Sequence, residues 1–419
     1  MNRMLLLFFF VLTSLMVVNG QRSIIYDENV QTLMLVSPQG QRVVPVIRQG
    51  TEDKIEVSFD DLMHNYRRFT YRIEHVGSDF ITDEGLFDSE FMVCEDTEIV
   101  VENYEQSLNT SVLYNHYSFT LPNASMRPLL SGNYRLVVSV EDEDGEPQKA
   151  FVAYFAVAEQ VVGVSMTAQT NTDIDYNLAH QQLSLEVDYS SLSVRDADKE
   201  LLTQVVQNSQ WDRPVRLLRS NMNTGRSLKW EHCKDLIFPA GNEYRKFEQY
   251  STRYPGMHVE NVRYFEPYYY TTLMTDGVRR NYLFDEDQNG KFVPRCDRGG
   301  NPLTEADYTW TLFSLAMDSL PDTQIFVHGI WTGGIFDHKY QMHYNHQSGN
   351  YEALLLLKQG YYSYRYLSVK DGIGYTSVTE GNFHETENEY EVFVYYRPPG
   401  ERYDRLVAWR FASYRPVGK

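Results

Sequence analysis

The stretch ALLLLKQGYYSYRYL, residues 353–367, joins an apolar run to four tyrosines within six positions, and its reading decides the fold. Side chains alternate along a strand, so Tyr362, Tyr364 and Tyr366 share one face while Tyr361, Ser363 and Arg365 share the other. An aromatic face backed by a mixed one suits a half-buried β-sandwich strand, with ring bodies packed inward and hydroxyls reaching the rim. The competing reading is an exposed sugar platform. Core packing is preferred, because tyrosine density on one face is first of all what a sandwich interior needs.

Outward from this stretch, period-2 alternation dominates and helical periodicity over three turns is nearly absent. In DKIEVSFDDL (53–62) Ile55, Val57 and Phe59 fall on one face, and in RRFTYRIEHV (67–76) Phe69, Tyr71 and Ile73 do the same. Tyr134, Leu136, Val138 and Val140 alternate into an acidic turn at Asp144-Gly145, after which a strand returns from Phe151 to Val157. The fold class is all-β: tandem immunoglobulin-like sandwich modules with few or no long helices. The expected organisation is a leader at 1–20, a first immunoglobulin-like module at 21–158, a middle sandwich at 159–318 and a C-terminal immunoglobulin-like module of early-set type at 319–419. Middle-module strands are expected around Ile237, from Tyr268 to Met274 and from Tyr282 to Phe292, with Pro267 at a sheet edge or a strand start. Residues Ala197 to Val206 read either as a short helix or as a loop followed by a strand, and β-branched content favours the second. The tetrapeptide SGNY recurs at Ser131 and Ser348, too short a repeat to argue duplication.

The first twenty residues carry one basic residue, Arg3, then an apolar run from Met4 to Val18 and a Val18-Asn19-Gly20 exit, the pattern of a cleavable secretory signal cut before Gln21. The run is short for a bilayer and no later segment rivals it, so no direct membrane span is expected. The 419 residues hold 57 acidic and 38 basic side chains, a net charge of −19, and loss of Arg3 with the leader takes the remainder to −20. Such a chain is a poor nucleic-acid partner. Cys94, Cys233 and Cys296 are widely spaced and odd in number, so the fold does not rest on a disulfide framework.

Candidate sites each meet a plainer reading. DEDQNGKF (285–292) fits half a calcium loop, with Asp285, Asp287, Asn289 and Gly290 in place, but Cys296 stands where a bidentate Glu belongs. A hairpin turn at Asn289-Gly290 is preferred, and EDEDGE (141–146) reads the same way. His328, His338, His343 and His346 lie within nineteen residues without a metal-ligand spacing. Nucleophile elbow, phosphate loop and zinc signature are all missing. Carboxylate pairs such as Asp60-Asp61 and those between Glu141 and Asp144 would be needed for a glycoside hydrolase, yet 57 acids supply such pairs everywhere. No catalytic, cofactor-binding or metal-ligating residue is nominated, no cofactor is expected, and the partner-binding residues are left open.

Two resemblances add to this. Trp331 with Tyr361 to Tyr366 resembles the glycogen-binding type of carbohydrate module, which keeps an envelope carbohydrate-binding protein as the alternative function. The runs at 55–80, 102–123 and 131–138, IEVSFDDLMHNYRRFTYRIEHVGSDF, ENYEQSLNTSVLYNHYSFTLPN and SGNYRLVV, resemble the N-terminal domain of the plug proteins of the Bacteroidota type IX secretion system. The likeness continues through VVQNSQWDRPV, LIFPAGNEYRKFE, EADYTWTLFSL and EGNFHETENEYEVFVYYRPPGERYDRL, over essentially the whole chain after the leader. Near Val76 and Phe80 the family pattern has a cysteine and a tryptophan that this chain lacks. The resemblance implies a non-enzymatic periplasmic protein, held at the outer membrane by its partner, that closes the periplasmic mouth of the giant translocon barrel. Further translocon-associated periplasmic proteins are a second class of partner.

Overall fold

The computed structural model describes residues 23–415 except 143, 218, 298 and 335. The expected leader, residues 1–20, lies outside the described residues.

The chain is all-β, and its strands form four sheets stacked face to face, a fifth wrapped beside them and a two-stranded ribbon of Met92–Cys94 with Met126–Pro128. Sheet 1 contains Val30–Ser37, Ile55–Asp61 and Asn115–Leu121; sheet 2 contains Phe69–Val76, Gly132–Glu141 and Pro147–Ala158. Between them lie the residues that alternation places inside, including Ile55, Val57, Phe59, Phe69, Tyr71, Ile73, Tyr134, Leu136 and Val138. The hairpin of sheet 2 turns where the acidic run stands: the Asp142 carboxylate accepts the backbone N–H of Asp144 (3.0 Å) and Glu146 (2.9 Å), and Gly145 supplies φ +81.

Sheet 3 joins Leu201–Gln207 to Asn388–Tyr396 and Arg405–Tyr414, and sheet 4 joins Gly163–Gln169 to His180–Asp188 and Ser227–Trp230. Leu185, Val187, Trp230, Val205, Tyr390, Val392 and Val394 fill the space between these two. The outer face of sheet 2 also packs on the outer face of sheet 3, through Val137, Val152, Tyr154 and Ala156 against Phe393, Tyr395, Leu406 and Trp409. The layers therefore run sheet 1, 2, 3, 4 with apolar side chains in every gap. The central strand Asn388–Tyr396 is accordingly buried on both faces along its whole length.

Sheet 5 has eleven strands and curls around Phe247, Phe313, Ile325, Val327, Tyr362, Tyr364 and Tyr366. It spans Arg245–Gln249 to Ile373–Tyr375, and sheet 3 pairs residues near 204 with residues near 393, so both draw strands from each side of residue 318.

Three local expectations need correction. Ala197–Glu200 is one helical turn before the strand Leu201–Gln207, because the buried Glu200 carboxylate accepts the N–H groups of Arg195 and Asp196 and closes the turn. Between Tyr282 and Phe292 the strand starts only at Phe292; the preceding residues follow Tyr244 and Lys246 as irregular chain, with Asn289 (φ 50) and Gly290 (φ 82) forming a turn that has no flanking hairpin. The third concerns the opening strand. Gly360–Lys370 is buried on both faces except at its last residue, and the tyrosine hydroxyls reach no rim: Tyr364 and Tyr366 each donate to Asp276 at 2.8 Å, and Tyr362 donates to the Lys358 carbonyl at 2.7 Å.

Candidate partner-binding surface

Two kinds of place bear on function: the buried polar junctions that fix the sheets to one another, and the surface that stays uncovered. At the junction of sheets 1 and 5, Asp60 is fully buried and receives Lys358 Nζ at 2.7 Å, His116 Nδ1 at 2.7 Å and the Tyr308 hydroxyl at 2.6 Å. Burial pushes the Asp60 carboxyl up, but the Lys358 ammonium and the His116 ring outweigh it and hold the carboxyl below its ordinary value. Lys358, equally buried, is pulled down by desolvation more than Asp60 restores it. At the gap between sheets 2 and 3, Arg42 reaches Glu391 at 3.0 Å and Glu389 at 3.5 Å. Inside sheet 5, Arg245 binds Asp276 at 2.7 Å and Glu380 at 3.0 Å. Burial raises Asp276, yet His258 and Arg245 bring it down to about 2. The acids that sequence alone offers as catalytic pairs, Asp60 and Asp61, thus sit in a structural junction, Asp61 bound to Arg67 at 3.0 Å.

The sequence-selected sugar platform is not assembled. Tyr362, Tyr364 and Tyr366 are within the sheet 5 core. Tyr361 is buried too, and Trp331 donates to the Ser363 carbonyl at 3.0 Å while its ring meets Tyr362 edge-on. The half calcium loop is a turn stitched into the fold: Asp287 accepts the N–H of Asn289 at 2.6 Å and that of Tyr244, and Gly290 donates to Ser363. His328 is buried, His338 bonds Gln341, and His343 and His346 are exposed. Among the described residues no three such side chains could hold a metal ion. Cys94, Cys233 and Cys296 are all free.

Two features of the described surface stand out here. One is an acidic cleft of about 500 Å³ lined by Glu243, Asp285, Glu286, Asp287, Glu387 and Glu389 among others. Burial and the neighbouring Glu243 push Asp287 up to about 7. The other is the outward face of sheet 5. Alternation sends Thr309, Thr311 and Phe313 inward and Trp310 and Leu312 outward; Tyr268 and Tyr270 stand beside Trp310, and Leu354 and Leu356 continue the face. Phe265 (58% exposed) and Leu354 (48%) are its most open members. Its edge is the hairpin Val259–Phe265 with Tyr268–Leu273, and Pro267 precedes the second strand at its start. Contiguous apolar surface of this kind is a candidate interaction site, although single large hydrophobics such as Phe87 and Leu283 are exposed elsewhere. The sequence signal for it was present in EADYTWTLFSL, where both faces of one strand are apolar. Periodicity reads that as deep burial, because it cannot tell which neighbour is missing.

Among the described residues no helix is long and apolar enough to cross a membrane. Residues 30–159 match the family model of the type 9 secretion system plug protein 1st domain. A crystal structure at 2.30 Å resolution of a hypothetical protein from Parabacteroides merdae ATCC 43184 is similar over 94% of this chain and 99% of that one, at 37% identity and a TM-score of 0.90. The major pilin subunit BcpA of Bacillus cereus aligns over 54% of this chain and 63% of that one, at 5% identity and a TM-score of 0.16, a likeness that carries no argument. No curated protein matches the sequence.

Proposed function

The chain belongs to the same family as the Parabacteroides merdae protein and carries a type 9 secretion system plug protein 1st domain at residues 30–159, and on that premise we propose that it is a non-enzymatic plug of the cell envelope. In this reading it lies in the periplasm, exported by the leader, binds the giant outer-membrane translocon barrel of the secretion system and seals its periplasmic opening. The observation that carries the proposal is the family match over sheets 1 and 2. The physics is compatible with it. A stopper must hold its shape against a large opening, and here buried ion pairs and apolar layers lock the matched sandwich to the sheets behind it. A net charge of −20 once the leader is lost makes the contact salt-sensitive if the barrel mouth is basic.

The test is an affinity pull-down of tagged protein from detergent-solubilised membranes at low and high salt, with bound proteins identified by mass. One very large outer-membrane protein, retained at low salt and weakened at high salt, is the expected result. Recovery of the chain alone at both salts overturns the proposal.

A further inference from the structure

A cleft of about 280 Å³ opens between sheet 5 and the bulged strand of sheet 1, with Leu33, Leu62, Trp310, Trp331, Tyr340 and Leu354 in its wall. Four features of it belong together. The first is an open strand edge. Asn350–Lys358 is paired along one side by Tyr308–Ala316, but Gln341–Asn345 pairs its other side only from Asn350 to Glu352 and then leaves for Ile325 and Phe326. Among the described residues no strand pairs that side from Ala353 to Leu357. Accordingly Leu354, Leu355, Leu356 and Leu357 all line the cleft, which a strand does only when it presents its edge rather than one face.

The second feature is strain. Sheet 1 slips register between Gln31 and Met34, and within that bulge Thr32, a β-branched residue, takes φ 51 while its hydroxyl bonds Tyr308. Bulges re-aim side chains, and a β-branched residue at positive φ is a costly conformation that persists at sites where its neighbours fix it. Here the bulge aims Leu33 into the cleft. The third is size. A cavity of about 150 Å³ with an aliphatic and aromatic wall holds a benzene, so this one accommodates a larger ring system. The fourth is charge at the mouth: the Glu28 carboxylate has no partner among the described residues, and the Lys339 ammonium sits on Tyr340, 4.9 Å from the ring centre and hydrogen-bonded to the hydroxyl.

We propose that the cleft is a socket for an extended peptide segment of a protein partner, pairing with the Ala353–Leu357 edge and inserting a tryptophan or tyrosine side chain. The backbone edge gives the segment its direction, the leucine and tryptophan walls take the ring, and Glu28 accepts the ring's N–H or O–H. The inference deepens the plug reading by naming where the partner would be gripped, and it rests on that reading for the partner's identity.

The experiment has two arms. In the first, isothermal titration follows the blocked tripeptide acetyl-Val-Trp-Val-amide, and its backbone-N-methylated twin, into wild-type protein, Leu354→Arg and Thr32→Gly. Leu354 is half exposed, so its variant keeps the fold, which thermal denaturation verifies. Wild type binds the tripeptide, while the twin and the Leu354→Arg protein bind at least about tenfold more weakly. Absence of binding, or equal binding of the twin, overturns the socket. Thr32→Gly relaxes the bulge and weakens binding, with thermal denaturation again verifying that the fold is kept. In the second arm, Leu354→Arg replaces wild type in the pull-down. If both capture the giant barrel equally, the socket is not the contact and the plug reading stands. If neither captures it while the tripeptide binds wild type, the plug reading fails and the socket stands.

Discussion

Replacement of Lys358 by methionine isolates the energetics of the junction between sheets 1 and 5. Lys358 and Asp60 expose 1% and 0% of their side chains, and their charged atoms are 2.7 Å apart. Methionine preserves the volume of the stem, so the change is mainly electrostatic: Asp60 stays buried with His116 and the Tyr308 hydroxyl as partners and without its fixed cation. Removing one member of such a pair is expected to destabilise by about 3–5 kcal/mol. The double variant Lys358→Met, Asp60→Asn should recover much of that, because no stranded charge remains and Asn still offers an acceptor to Tyr308.

The pH dependence gives an independent check with a definite sign. In the wild type Asp60 is held below its unfolded value, so its contribution is present above about pH 4 and is lost as pH falls through the folded value. Without Lys358, burial dominates and the carboxyl rises above its unfolded value. The variant's deficit is then smaller at pH 5 than at pH 7, where the ionised form must be kept in the junction. Urea denaturation at both pH values, with calorimetry to test for a single transition, measures both quantities. A deficit below about 1 kcal/mol that is unchanged between pH 5 and pH 7 would refute the argument that the junction depends on this charge pair.

Other expectations follow from the same geometry. Arg42→Ala strands Glu391 in the gap between sheets 2 and 3, while Glu389 keeps Lys291 at 3.7 Å, and should cost about 3–5 kcal/mol and raise amide exchange in both sheets together. Asp287, at about 7, is raised, so its contribution is present at low pH and disappears as pH rises through about 7; a plot of melting temperature against pH between 5 and 8 should be flatter in Asp287→Asn. Tyr364→Phe removes one of two hydroxyls donating to Asp276 and should lower stability by about 1–3 kcal/mol in the same denaturation assay. Trp331→Ala should act as a packing mutation, toward the low end of about 3–5 kcal/mol, with no retardation on starch or glycogen gels before or after the change.

Strand placement was legible where one face is apolar and the turn chemistry is local. Ile55, Val57 and Phe59 face inward as alternation requires, and the Asp144-Gly145 hairpin stands where its residues put it. Partnership between distant strands was not legible. Leu201–Gln207 pairs with Asn388–Tyr396, and nothing in either segment names the other. In NEYEVFVYYR (388–397) Glu389 and Glu391 alternate with apolar residues, and they lie buried beneath Arg42, a residue some 350 positions away whose role only the folded chain reveals. The cleft was hidden for a related reason. VQTLMLVS (30–37) reads as an unbroken strand, and the slip at Gln31 to Met34 that turns Leu33 into the cleft leaves no mark in composition or period.

The stacking of sheet 2 against sheet 3 also sets an order in time. The surface formed by Val137, Val152, Tyr154 and Ala156 is complete once residue 158 has been made, but its cover, Asn388–Tyr396 and Arg405–Tyr414, is made last. If the chain folds as it is made, at about 5–20 residues per second the interval is roughly 10–50 s. Whether it folds then or after export, the first sandwich carries an apolar face with nothing to lie on it until the far end of the chain is in place.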